Sequence, residues 1–255
     1  MIYREIIMKG LKVESQLSQI ITVLMMMLIV ACGGGGDPGP TALSHHIDAM
    51  HLAQVPIAEQ SAVVQAQADY NTAKMTRAKA QADYGDSGTK LDVAKNQRKQ
   101  ALLEEKSARS KESSANKSGD MNRINLAKRE KHATELSRKA ADYKVDTIKM
   151  DRKHLKKWLR YTEENVYSME AKFELAKGQL AKDKNIKPRG FNFAVLQQQA
   201  RDRSKRAQKA KVVADQAKKD ADVKRKKWQA LEKEAARMKA GNTSGDAADA
   251  GGTSP

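Results

Sequence analysis

Small residues return every seven positions over most of this chain, and that period limits what it can build. In the last long segment one column reads Ala200, Ala207, Ala214, Ala221, Trp228 and Ala235. A second reads Leu196, Arg203, Ala210, Ala217, Lys224, Leu231 and Met238. Columns offset by three and four residues form the seam of a coiled coil, because that repeat keeps one stripe of a helix facing its partner. An earlier segment repeats the design with Val63, Tyr70, Arg77, Tyr84, Leu91 and Arg98 beside Ala66, Ala73, Ala80, Ser87, Ala94 and Ala101. The pentapeptide Ala-Gln-Ala-Asp-Tyr stands at 66–70 and again at 80–84, so both tyrosines share a face. Alanine favours helix and lets backbones approach closely, but it buries little surface. The pattern predicts an all-α chain of long antiparallel coiled-coil helices, as a three-helix bundle or a helical hairpin that pairs with itself.

The breaks set the predicted boundaries. Residues 32–43 are rich in Gly and Pro and read as a flexible tether. The helical region spans 44–240, with helices at about 44–106, 120–183 and 192–240, and Pro56 in the first turn of the first main helix. Gly85-Asp86-Ser87-Gly88 is either a hairpin turn or part of a continuous or kinked helix, and the unbroken heptad frame favours the helix. The serines between Ser107 and Ser118 have no apolar period and read as a loop. Asp120 or Ser118 serves as the next N-cap. The second helix uses Leu126, Ala133 and Ala140 with Leu136, Tyr143 and Met150. Its frame slips near 150, then resumes as Leu155, Thr162, Met169 and Ala176 with Leu159, Val166, Phe173 and Leu180. Lys187-Pro188-Arg189-Gly190 turns the chain. Asn192 caps the third helix, with Phe191 and Leu196 as a hydrophobic staple. Asp215/Lys219, Asp220/Lys224 and Asp222/Lys226 stand at i,i+4 with the acid first. Gly241 ends that helix, and 241–255 reads as a disordered tail.

The chemistry is mostly charge. The chain of 255 residues carries a formal charge of +17 with only 4% aromatic residues. Such a balance selects acidic partners: anionic lipid or lipopolysaccharide, cell-wall carboxylates, or nucleic acid. Two basic runs adjoin tryptophans, Lys224-Arg225-Lys226-Lys227-Trp228 and Arg152-Lys153-His154-Leu155-Lys156-Lys157-Trp158. Lys153, Lys156, Lys157, Lys224, Arg225, Lys226 and Lys227 are the candidate polyanion-binding residues. His45, His46 and His51 cluster but miss the i,i+4 spacing of a helical zinc pair, so no metal is expected. His132 and His154 read as isolated on polar faces. Carboxylates are interleaved with lysine, and no nucleophile motif or phosphate loop occurs. The expectation is a protein that is not an enzyme and has no cofactor.

The N-terminal segment has a distinct order. A short basic run with Lys9 and Lys12, reading from Met1 or Met8, precedes twelve residues from Ile20 to Ala31, then Cys32 and the glycines 33–36. Twelve residues fall short of the ~20 that a spanning helix needs. Cys32 is the only cysteine, and Ile29, Val30 and Ala31 fill the places before it. This segment resembles the lipobox of bacterial lipoproteins. The resemblance implies a signal peptide over 1–31, cleavage before Cys32 and a covalent lipid on its thiol. Processing leaves a charge of +16, since Arg4, Lys9 and Lys12 are lost against Glu5 and Glu14. Gly33 is not the aspartate that marks inner-membrane retention in enteric lipoproteins, so the resemblance favours the outer membrane.

Together these readings point to a lipid-anchored structural or adaptor protein of the cell envelope that presents basic coiled-coil helices. Its partners are a membrane, through the lipid, and anionic envelope polymers or lipids, with self-association through the coiled coil. Nucleic acid conflicts with secretion. In style it is similar to the small murein lipoprotein and to the Ala/Lys-rich helices of Tol/Ton-type proteins, though it ends Gly252-Thr253-Ser254-Pro255 without a C-terminal lysine. The alternative is a helical-hairpin component of an export or efflux complex.

Overall fold

The computed structural model describes residues 39–188 and 191–246. The chain divides into two units between Thr41 and Ala42, and the architecture below is that of the described residues of the second. Among the described residues there is no strand. Two 3-10 turns, Ala49–Leu52 and Ile57–Gln60, lead into three long helices: α1 (Ser61–Ser118), α2 (Met121–Asp183) and α3 (Phe193–Asp246).

The helices alternate in direction, as short connections require. Descending partners along α1 and α2 fix this: Tyr70 stacks on Phe173 at 6.3 Å, Arg77 meets Glu163 at 3.9 Å, and Arg98 meets Asp142 at 2.5 Å. On the other side Ser168 reaches Ser204 at 3.2 Å, and Arg225 reaches Asp151 at 2.6 Å. The central helix is α2, packed along its length against both neighbours. Burial follows that role. In α1 the buried set is dominated by a single seven-residue column, Ala73, Ala80, Ser87, Ala94, Ala101, Ala108 and Ala115. In α3 the predicted alanine column is equally deep, with Ala214 and Ala221 at 0% exposure. The residues of α2 are buried on both flanks, and they include the carboxylates Glu164 and Glu174.

Several expectations are corrected. The first helix begins at Ser61, not near 44: residues 42–48 are non-helical, and Pro56 precedes a 3-10 turn. The serine-rich stretch 107–118 is helix, because Ala108 and Ala115 continue the buried column and hold it against α2. The turn shrinks to Gly119, left-handed at φ 69°, and Asp120, whose side chain caps Asn122 and Arg123. Leu126 and Tyr143 belong to the predicted seam but are exposed. Helix α2 stops at Asn185 with φ 54°. The Ile186 N–H donates back to Ala181 O, and the Ile186 side chain returns to the core, a Schellman-type end. Helix α3 continues through Gly241 to Asp246.

Other expectations hold. Residues 85–88 are uninterrupted helix. Asn192 caps α3 through Ala194 N and Val195 N. The pairs expected on α3 are corrected: Asp215 bonds Lys211 at 2.8 Å, Asp220 accepts from Gln216 at 3.0 Å, and Asp222 bonds Arg225 at 2.7 Å. The Lys211 contact lowers the Asp215 pKa, and the same contact raises that of Lys211.

Candidate polyanion-binding surface

The register of α2 against α3 brings the two basic runs together. Residues 153–157 and 224–227 are some seventy positions apart in sequence, yet Arg225 crosses directly to Asp151. One member of the candidate set is thereby committed to structure. The Arg225 guanidinium bridges Asp151 on α2 and Asp222 on its own helix, at 2.6 and 2.7 Å. The rest remain available. Lys153, Lys156, Lys157, Lys224, Lys226 and Lys227 are exposed. No carboxylate lies within ion-pair distance of them among the described residues. Lys153, Lys156 and Lys157 stand at i, i+3 and i+4, so they share one face of α2.

The aromatic residues flank this surface. Trp228 is half-buried at its heptad position, and Lys144 of α2 lies 5.3 Å above its ring. Trp158 packs on Tyr161 at 5.0 Å, and Arg152 lies over Tyr84 of α1 at 5.3 Å. His154, read from sequence as isolated, sits between α2 and α3. Burial lowers its pKa, and Lys218 and Arg225 add to that effect against Asp151 and Asp222. The fold therefore gathers exposed lysines here, while the charge of Arg225 is met by Asp151 and Asp222.

A second constellation escaped sequence reading. Residues Ala42–Ile47, expected to be tether and helix start, lie in a groove between α2 and α3. The carboxylate of Glu174 accepts from Ile47 N at 2.7 Å, and Lys177 donates to Ile47 O at 2.6 Å. Glu174 and Lys177 also pair with each other at 2.7 Å, both nearly fully buried. From α3, Gln199 accepts from Ser44 N and His45 N, each at 3.2 Å, and donates to His45 O at 3.0 Å. Arg203 donates to Ala42 O at 3.3 Å. Leu43 inserts beside Ala171, Ala200 and Leu175. Ile47 reaches over Gly178. The available signal was the pair Leu43 and Ile47, aliphatic residues in a polar stretch. Beside the groove, a cleft of about 810 Å³ collects further cations, among them Lys205, Arg206 and Lys209.

His46 is half-exposed, with Nδ1 at 3.6 Å from Glu174 and Nε2 at 3.0 Å from Leu43 O. Among the described residues no three of His, Cys, Asp and Glu gather as a metal site. No helix there is long and apolar enough to cross a membrane. Cys32 and the motif Ile29, Val30 and Ala31 lie outside the described residues. No known family model matches the chain, and no curated protein or solved structure is significantly similar to it.

Proposed function

We propose that this chain is a lipid-anchored, non-enzymatic structural or adaptor protein of the bacterial cell envelope, and that its lysine-rich helices bind anionic lipid or envelope polymer. The anchor rests on the lipobox-like order around Cys32. The binding role rests on one observation: two distant basic runs converge on adjoining turns of α2 and α3, and their lysines have no carboxylate within ion-pair distance among the described residues. The outer membrane is the favoured site, because Gly33 follows the cysteine.

Each lysine near an anionic surface contributes about 1 kcal/mol. Replacing Lys153, Lys156, Lys157, Lys224, Lys226 and Lys227 together by glutamine is therefore expected to weaken binding by more than about 100-fold at low salt. The readout is co-sedimentation with phosphatidylglycerol-containing vesicles, with phosphatidylcholine vesicles as control. Equal binding by the substituted and native chains, with helix content unchanged, would remove this surface from the account.

A further inference from the structure

The groove that seats Ala42–Ile47 is built to hold a chain by its backbone. Glu174 and Lys177 on α2 take the N–H and the carbonyl of one residue, Ile47. Gln199 on α3 serves both kinds of group, two N–H donors and the His45 carbonyl. Main-chain bonds of this sort carry affinity with little regard to side-chain identity, and pockets for selected side chains add the specificity. The pockets here are aliphatic and four residues apart. One takes Leu43 between Ala171 and Ala200. The other takes Ile47 beside Gly178, where an added Cβ would stand at ordinary contact distance, 3.4 Å, from Ile47 Cδ1. Ser44, His45 and His46, between the anchors, are exposed.

A buried Glu–Lys pair needs compensation for its desolvation. Here the compensation comes from the Ile47 peptide groups, which bond both members of the pair while residues 42–47 cover them. The groove's occupant is joined to the helices only through the 3-10 turns and Pro56.

We propose that this α2/α3 groove is a peptide-binding site, filled in cis by Ala42–Ile47, which accepts from a partner protein a non-helical segment with two aliphatic residues four positions apart. The cis segment acts as a built-in competitor. A partner segment gains access when residues 42–47 are drawn out.

The test uses the full chain with Leu43→Asp and Ile47→Asp, which expels the cis segment and leaves the groove walls intact. The probe is a fluorescent peptide with the sequence of residues 40–50. It is expected to bind the double variant saturably and at least tenfold more tightly than the native chain. Adding Gln199→Ala and Glu174→Ala to the double variant is expected to abolish binding, and so is placing aspartate at both aliphatic positions of the peptide. Absence of binding to a double variant with native helix content overturns the proposal. So does binding that ignores the groove substitutions. If the double variant does not fold, hydrogen exchange on the native chain decides the matter. Protected Ser44, His45 and Ile47 amides whose exchange accelerates with excess peptide sustain the proposal, and a rate that peptide leaves unchanged refutes it.

Discussion

Gly85 and Gly178 are both mid-helix glycines, and their surroundings reverse the expected effect of a methyl group. A Cβ at Gly85 or Gly88 would meet nothing within 4 Å. Alanine at either is expected to stabilise by about 0.5–1 kcal/mol through helix propensity alone. At Gly178 the same methyl would stand 2.7 Å from Leu196 Cδ1, and Leu196 is only 3% exposed. Overpacking then exceeds the propensity gain, for an expected net loss of about 1 kcal/mol. Urea denaturation of the single variants checks both signs. His154 gives the residue-scale pH effect. Its folded pKa lies below the ordinary 6.5, first because of burial. The unfolded chain therefore takes up the proton first as pH falls below 6.5. Stability from this site is complete above that value and is lost on acidification until the folded pKa is passed. Between about pH 7 and about pH 5 the native denaturation midpoint is expected to fall further than that of His154→Gln. Parallel profiles would contradict the assignment.

At the scale of elements, α1 and α2 are held in different ways. The alanine column of α1 offers little apolar area. Part of its attachment runs through charge pairs to α2: Arg98–Asp142, Lys131–Glu112, Lys111–Glu130 and the buried Glu105 with Arg138. Arg98 and Lys111 are exposed, and salt screens such pairs. Raising sodium chloride from about 0.05 to about 1 M is expected to lose amide protection in α1 before α2. Hydrogen-exchange mass spectrometry reads this, and protection of α1 that equals α2 at high salt would contradict it. The same contrast explains what was legible in the sequence. A seven-residue alanine column survives any loss of large side chains, so all three helices could be counted. The column passed through Ala108 and Ala115, but serine chemistry between them read as a loop and hid its last turns. Tyr143 looked like seam only because the pattern does not say which flank of α2 is covered. In residues 42–47 the aliphatic pair Leu43 and Ile47 was visible but its seat was not, because the partners lie 127 to 161 positions away.

Over the whole molecule, a charge of +17 works against compaction and for association with anions. The fold does not hide most of that charge: the lysines of the two basic runs remain in solvent, while the interior holds alanine, threonine and paired ions such as Lys177 with Glu174. The sequence made the basic runs legible but not their meeting, which depends on helix register. The proposed lipid anchor at Cys32 is an explanation for the order of residues around it, and a membrane surface is the proposed partner of the exposed charge. The most direct test is the mass of the mature N-terminus after expression in a diderm bacterium, beside a Cys32→Ser control. A chain that begins at an acylated Cys32, and loses that processing in the control, is the expected result. An intact, unmodified N-terminus in both would contradict the account and leave the charge to be explained inside the cell.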